Sequence, residues 1–200
     1  MRGVTLELSR GLSLILGPNG SGKTTFLKLV VGMLRPSGGR ITVLGRDPWR
    51  HRSYLSSKVS FMFEGSPIPW WLSGREFLLE LVRLRGEEGR RMLEVVRALG
   101  IDDYWDRHAL TYSSGMRKRV LIASALGFNA DLYVLDEPFS LLDSSSIEVV
   151  SELVLDLVES GKNVLVASHH FPRKLLEEAD AQVLLNNGRV EYVSYSLPRS

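Results

Sequence analysis

Two short segments carry the residues best suited to chemistry. Gly17-Pro18-Asn19-Gly20-Ser21-Gly22-Lys23-Thr24 matches the pattern Gly-x-x-x-x-Gly-Lys-[Ser/Thr]. Glycines at this spacing let the backbone wrap an anion with several N–H groups turned inward, and a helix starting there adds its positive end. Lys23 is then expected to reach the β- and γ-phosphates of a nucleotide, and the Thr24 hydroxyl to ligate Mg²⁺. The second segment, Leu132-Tyr133-Val134-Leu135-Asp136-Glu137, is an apolar run ending in two acids. Alone, such a pair fits a helix cap or solvated charge equally well. After a phosphate loop, Asp136 is expected to hold the Mg²⁺ hydration shell and Glu137 to polarise an attacking water.

These segments need elements that hold them. Leu12 to Leu16 is a short apolar run ending at Gly17, and Lys23 to Met33 has helical length and spacing, so the glycine-rich segment falls between strand and helix. Leu132 to Leu135 and Val164 to Ala167 end in polar residues, as buried parallel strands do when the following loops carry chemistry. Ile147 to Glu159, ending near Gly161, supplies the crossover helix between them. Val59 to Phe63 is a further strand. From about Ser73 to Phe128 the pattern changes: Glu76 to Arg85, Arg90 to Leu99 and Gly115 to Leu126 all read helical. Val183 to Leu185 and Val190 to Val193 flank Asn186-Asn187-Gly188, a hairpin turn whose residues tolerate positive φ. The tail from Ser194 is read as loose. Val4, Leu6 and Leu8 alternate in the manner of a strand, and the opening residues do not read as an export signal.

The fold class is therefore α/β: one domain over residues 1–200, with a mainly parallel core at about 1–72 and 129–200, an inserted helical lobe at about 73–128 and a short N-terminal β region. The 25 Lys and Arg against 23 Asp and Glu leave a formal charge of +2, too weak a bias to argue for a nucleic-acid partner. No cysteine is present, so there is neither a disulfide framework nor a thiolate metal site, which suits a cytosolic chain. Apolar runs such as Val120 to Phe128 fall short of the roughly 18 residues that span a bilayer.

Taken together, the motifs resemble those of the ATP-binding subunit of ABC transporters. Gly17 through Thr24, with Thr25, resembles that family's Walker A, and Tyr133-Val134-Leu135-Asp136-Glu137-Pro138 its Walker B running into the catalytic Glu. Ser113-Ser114-Gly115-Met116, about twenty residues before Asp136, resembles the signature motif. Ser140-Leu141-Leu142-Asp143 resembles the D-loop, and His169 the switch histidine, with a shift to His170 left open. The resemblance runs from about Leu12 to Val193. It implies the P-loop NTPase three-layer core, ATP and Mg²⁺ as ligands, and a second ATPase subunit, expected to be another copy. Ser113, Ser114 and Gly115 would then meet the γ-phosphate of ATP held by that partner, and two chains would sandwich two ATP molecules. Glu137 and His169 would be the catalytic pair.

Three positions depart from the family. Glu64 stands where a Gln commonly touches Mg²⁺; a carboxylate still offers oxygen and adds negative charge. With Ser-Gly-Met followed by Arg117-Lys118-Arg119, it resembles the branch that includes drug, polysaccharide and haem-related exporters. Ser114 replaces a Gly and brings bulk towards the γ-phosphate. Only sixteen residues precede Gly17, among which no adenine-stacking aromatic is identified. After Glu64, the segment Gly65-Ser66-Pro67-Ile68-Pro69-Trp70-Trp71-Leu72 corresponds to the groove that receives a membrane permease, although the tryptophans fit packing into the lobe as well. Arg83, Arg85, Arg90 and Arg91 read as a solvated helix face, and His51 and His108 have no partner in this reading.

The expected function is an ATPase subunit on the cytoplasmic face of a membrane, dimerising on ATP to drive a separate permease. Alternatives are a soluble ATPase of the same family acting on nucleic acid or ribosomes, and a non-hydrolysing nucleotide-binding regulator.

Overall fold

Apolar residues on both faces of a strand demand a covering layer on each side, and the chain meets this demand with helices above and below one sheet. The computed structural model describes Met1 and residues 3–8 and 10–196. In chain order the elements are β1 (Leu12–Leu16), α1 (Lys23–Val30), α2 (Arg52–Ser56), β2 (Val59–Met62), α3 (Gly74–Arg85), α4 (Arg90–Ala98), a 3₁₀ turn (Ala109–Thr111), α5 (Ser114–Leu126), β3 (Leu132–Asp136), α6 (Ser144–Glu159), β4 (Asn163–Ser168), α7 (Arg173–Glu178), β5 (Ala181–Asn186) and β6 (Arg189–Tyr195).

The sheet runs β2-β3-β4-β1-β5-β6. Every neighbouring pair is parallel except β5 and β6. Because β1 lies beside β4, and β4 beside β3, the carboxyl ends of three strands open side by side. The register pairs Leu16 with Ser168 and Asp136 with Ala167. In parallel α/β sheets, loops leaving that edge are where ligands bind.

The period-two rule sorts the strand residues onto two faces. Leu12, Leu14, Tyr133, Leu135, Val164 and Val166 join one cluster with α5 and α6 residues such as Ile122, Val150 and Val154. Ile15, Val134, Leu165 and Ala167 join the other with Leu27 and Val30 of α1. Three layers result. The first cluster also takes in Leu78 of α3 and Met92, Val95 and Val96 of α4. The lobe thus shares its core with the sheet, and α5 belongs to both, as the Ser60 Oγ bond to the Ala125 oxygen at 2.7 Å illustrates.

Local signals set the helix ends. Ser73 and Glu76 form a reciprocal capping box at the start of α3. α1 stops three residues short of the expected Met33, because Gly32 adopts φ +73° and the N–H of Met33 bonds back to Lys28. A side chain at Gly32 would meet the Pro48 oxygen at 2.2 Å.

Two expectations fail. Val4, Leu6 and Leu8 are half-buried and the residues between them exposed, so the alternation is real, but residues 4–8 form no strand. Alternation reports one-sided burial; a strand also needs a ladder partner, and among the described residues the segment pairs with no strand, although the Tyr195 hydroxyl of β6 donates to the Glu7 oxygen. Ser194 and Tyr195 are not loose, since they pair with β5, and Ser196 is held by the Asp180 and Ala179 oxygens. The rest of that tail, 197–200, lies outside the described residues. α2 and α7, both short, have no counterpart in the sequence reading. The hairpin turn occurs where expected, with Asn187 and Gly188 both at positive φ.

Candidate active site

The loop between β1 and α1 is built to bring backbone close to an anion. Gly17 has φ +155°, and a Cβ there would lie 2.2 Å from the Leu185 oxygen, so only glycine lets the chain leave β1 along this path. Ser21 is buried, and its Oγ has no hydrogen-bond partner among the described residues. Pro18, Asn19, Gly20, Thr24 and Thr25 are exposed at the mouth of the loop. Lys23 is buried, and its Nζ donates to the Gly17 and Pro18 oxygens at 2.8 and 3.2 Å.

Beside the loop, Thr24 Oγ1 donates to Asp136 Oδ2 at 2.8 Å. Asp136 Oδ1 is buried with no hydrogen-bond partner among the described residues. Burial is the main reason its carboxyl is pushed above the usual range; the Thr24 bond opposes this, and the neighbouring Glu137 and Glu64 charges add to it. A hydroxyl and an unspent carboxylate oxygen form an oxygen-only donor pair of the kind a hard divalent cation takes. No cluster of three or more His, Cys, Asp or Glu that could hold a metal is found among the described residues.

Glu137 follows directly, at a left-handed φ of +50°. Its Oε2 accepts from Ser168 Oγ at 2.7 Å and the His169 N–H at 3.3 Å, and lies 2.8 Å from His169 Nδ1. Its Oε1 lies 3.2 Å from Lys23 Nζ. That contact is an ion pair between two buried groups. Burial opposes ionisation of Glu137, yet the bonds from Ser168 and His169 and the nearby Lys23 outweigh it together and hold the carboxyl below its ordinary value. The carboxylate is therefore charged at neutral pH. Of the two adjacent histidines, His169 is the one whose ring contacts Glu137; the His170 N–H instead bonds Ser168 Oγ.

The remaining predicted residues lie apart from this cluster. Ser113 caps α5, its Oγ accepting from the Met116 N–H at 3.2 Å. Ser113 and Ser114 are exposed, and a side chain on Gly115 would sit 3.1 Å from the Leu141 oxygen. No hydrogen bond or ion pair among the described residues joins Ser113, Ser114 or Gly115 to residues 17–25. Asp143 caps α6 through the Ser146 N–H at 2.8 Å and pairs with Arg119 of α5 at 2.9 Å. Backbone and hydroxyl donors from Ser146 and Ser145 hold its carboxyl well below the usual range. Glu64 is exposed and accepts from Ser140 Oγ at 3.1 Å.

Beyond Glu64 the two tryptophans turn outward, Trp70 62% and Trp71 58% exposed, and pack edge to face on each other. Separately, a groove of about 270 Å³ has Phe61, Pro67, Phe77, Leu81 and Leu84 in its lining, together with polar residues such as Arg85.

Residues 1–140 match the family described as ABC transporter. The chain belongs to the ABC transporter family. It is 34% identical over 193 residues to the daunorubicin/doxorubicin resistance ATP-binding protein DrrA of Streptomyces peucetius, an alignment covering 94% of this chain and 58% of that protein. With the ABC transporter ATP-binding protein NatA of Bacillus subtilis it shares 32% identity over 202 residues, covering 96% and 80%. The chain thus spans little more than half the length of DrrA. Among solved structures, an ATP-binding subunit of an ABC transporter superposes with a TM-score of 0.86 at 26% identity, over 96% of this chain and 82% of that one. A dimeric ATP-binding cassette in a post-hydrolysis state, bound to ADP and Pi, superposes with a TM-score of 0.83 at 25% identity, over 95% and 88%.

Within this ABC transporter chain, the family match includes Gly17–Thr25, Ser113–Gly115, Asp136 and Glu137, whereas Asp143 and His169 lie beyond it. Two residues that contact Glu137 were given no role from the sequence, and Ser140 was placed only at the start of the D-loop segment, not as a partner of the Glu137 oxygen. Ser168 sits next to a recognised motif, but serine is too common for adjacency alone to mark it. Lys118 looked like one member of a basic run, and its burial is what separates it from Arg117 and Arg119.

Proposed function

We propose that this chain is the ATP-binding and hydrolysing subunit of an ABC transporter, which dimerises on ATP and powers a separate membrane permease. The observation that carries the proposal is the convergence, at the ends of β1, β3 and β4, of a phosphate loop, the Thr24–Asp136 pair and a buried Glu137 carboxylate in contact with Lys23 and His169. Gly17 through Thr25 cradle the triphosphate with backbone N–H groups and the positive end of α1, and Lys23 offsets β- and γ-phosphate charge. Thr24 and Asp136, with Glu64 at the rim, would hold Mg²⁺, which when bound neutralises charge on the β- and γ-phosphates. Glu137, held ionised, accepts a proton from the attacking water as its oxygen bonds to the γ-phosphorus and the bond to the ADP oxygen breaks. His169, ligated to Glu137, keeps that carboxylate in place and offers its remaining ring nitrogen towards the γ-phosphate.

Ser113, Ser114 and Gly115 present a capped helix start that serves no phosphate of their own chain, and the dimeric arrangement of a similar cassette supports assigning them to the partner's ATP. The partner is a second ATPase subunit, which we take to be another copy. Asp143 and Leu141, the latter 65% exposed at φ +66°, lie beside that surface as the D-loop. The groove beside Phe61 and the exposed Trp70 and Trp71 suit an apolar helix of the permease, which would hold the chain at the cytoplasmic face. No helix among the described residues is long and apolar enough to cross a membrane.

The deciding experiment is Glu137→Gln. ATP binding and ATP-dependent dimerisation should persist while turnover falls at least about a hundredfold. Undiminished turnover would sink the assignment. Co-purification with a multi-spanning membrane protein would support the transport role, whereas selective nucleic-acid binding at physiological salt would move the chain to the soluble ATPases.

A further inference from the structure

Lys118 is a buried cation to which the reading above gives no task. It lies on α5, four residues beyond Ser114 and so on the same side of the helix, with only 4% of its surface exposed. Its Nζ donates to the main-chain oxygen of Glu137 at 2.9 Å. The same oxygen accepts from Ser140 Oγ at 3.1 Å, and that hydroxyl also lies 3.1 Å from Glu64 Oε1. On the opposite side, the Glu137 N–H donates to the Ala167 oxygen at 2.7 Å. A left-handed non-glycine backbone persists only where its surroundings over-determine it. Here the surroundings are β4 at the amide and α5 at the carbonyl.

Burying an ammonium group is unfavourable unless charges or acceptors compensate it. Burial does depress the Lys118 pKa, and Glu64, Glu137 and Asp136 act in the opposite sense. The lysine thus grips the backbone of the hydrolytic residue through a buried bond to a main-chain acceptor. A second bond ties the same helix to the D-loop, from Arg119 to Asp143. A displacement of the N-terminal end of α5 would thus reach Glu137 through one rigid helix and one hydrogen bond.

We propose that Lys118 is a positioning residue that links the phosphate-capturing end of α5 to the main chain of Glu137, so that closure of Ser113–Gly115 on the partner's ATP sets the hydrolytic carboxylate of the same chain. This rests on the assignment of Ser113–Gly115 to the partner's nucleotide. The two ATP sites of a dimer are then coupled within each subunit, in addition to their shared interface.

The test compares Lys118→Met, which keeps the apolar stem and removes the donor, with Lys118→Arg, which keeps charge and donor. Steady-state ATP hydrolysis gives kcat and KM, and gel filtration of each change combined with Glu137→Gln gives the ATP concentration needed for the locked dimer. Lys118→Met should lower kcat about tenfold to a hundredfold, the effect of one lost charge-assisted buried bond, with KM and dimer formation changed less than about twofold. Lys118→Arg should recover most of the turnover. Wild-type kcat in Lys118→Met, a parallel loss of kcat, ATP affinity and dimer, or a folded Lys118→Arg as slow as Lys118→Met would overturn the proposal. If Lys118→Met does not fold, Lys118→Gln replaces it under the same criteria. Undiminished turnover in Glu137→Gln refutes the underlying assignment; an inactive Glu137→Gln beside a fully active Lys118→Met refutes only the coupling.

Discussion

Ser168→Ala removes the shortest hydrogen bond made to Glu137, from Oγ to Oε2 at 2.7 Å between two buried groups. A buried bond from a hydroxyl to a carboxylate contributes about 1.5–3 kcal/mol, and about 1.4 kcal/mol corresponds to one pKa unit. The loss should therefore raise the Glu137 pKa. In the native protein burial already works against ionisation, and the bonds from Ser168 and His169 with Lys23 reverse it. Without Ser168 the balance shifts against ionisation, and the carboxyl moves up from its depressed value. The sign for stability follows from linkage. A folded-state pKa below the unfolded one contributes stability that is fully present above the unfolded value and is lost as pH falls through the folded value. The unfolding free-energy gap between native and Ser168→Ala protein should accordingly be largest near neutral pH and shrink as pH falls below the ordinary glutamate range. Urea unfolding at a series of pH values measures that gap, and the acid limb of the kcat profile, displaced upward in the variant, measures the same shift in the working enzyme. An acid limb that stays in place, with kcat within about twofold of native, would refute the claim that Ser168 keeps Glu137 ionised.

Two further expectations test the cradle and the groove. Gly17→Ala places a methyl 2.2 Å from the Leu185 oxygen at a φ of +155°, so it should cost more than about 2 kcal/mol in urea unfolding and abolish binding of a fluorescent ATP analogue. A stable variant that still binds nucleotide would show that the loop can take another path. Replacing Trp70 and Trp71 together with Ala should change stability by no more than about 1 kcal/mol and leave the ATPase of the isolated subunit intact, because both rings are mainly in solvent. Capture of the permease in pull-downs should fall, and undiminished capture would remove the tryptophans from the docking surface.

The segments to which we assign the chemistry are those whose residues are contiguous in sequence. A phosphate loop must be a glycine-rich turn between strand and helix, so Gly17–Thr24 declares itself by local pattern; Asp136-Glu137, two acids at the end of an apolar strand, gains its meaning only beside that loop. Helices such as α3 and α6 were legible for the same reason, since spacing and caps act over one or two turns. Residues 4–8 misled because alternation encodes burial on one side and says nothing about a ladder partner, which the sheet did not provide. The side on which Trp70 and Trp71 rest was equally beyond local pattern, because an aromatic pair after a strand suits a core or a surface.

Strand order, and with it the identity of the groups around Glu137, was decided only in three dimensions. Ser168 touches Glu137 because β4 lies between β3 and β1, and Lys118 reaches its carbonyl because α5 packs back across the sheet. These residues are 31 and 19 positions from Glu137, and no short-range periodicity links them to it. The local pattern marked which residues could cleave a phosphate bond; packing determined which neighbours keep Glu137 charged and in place.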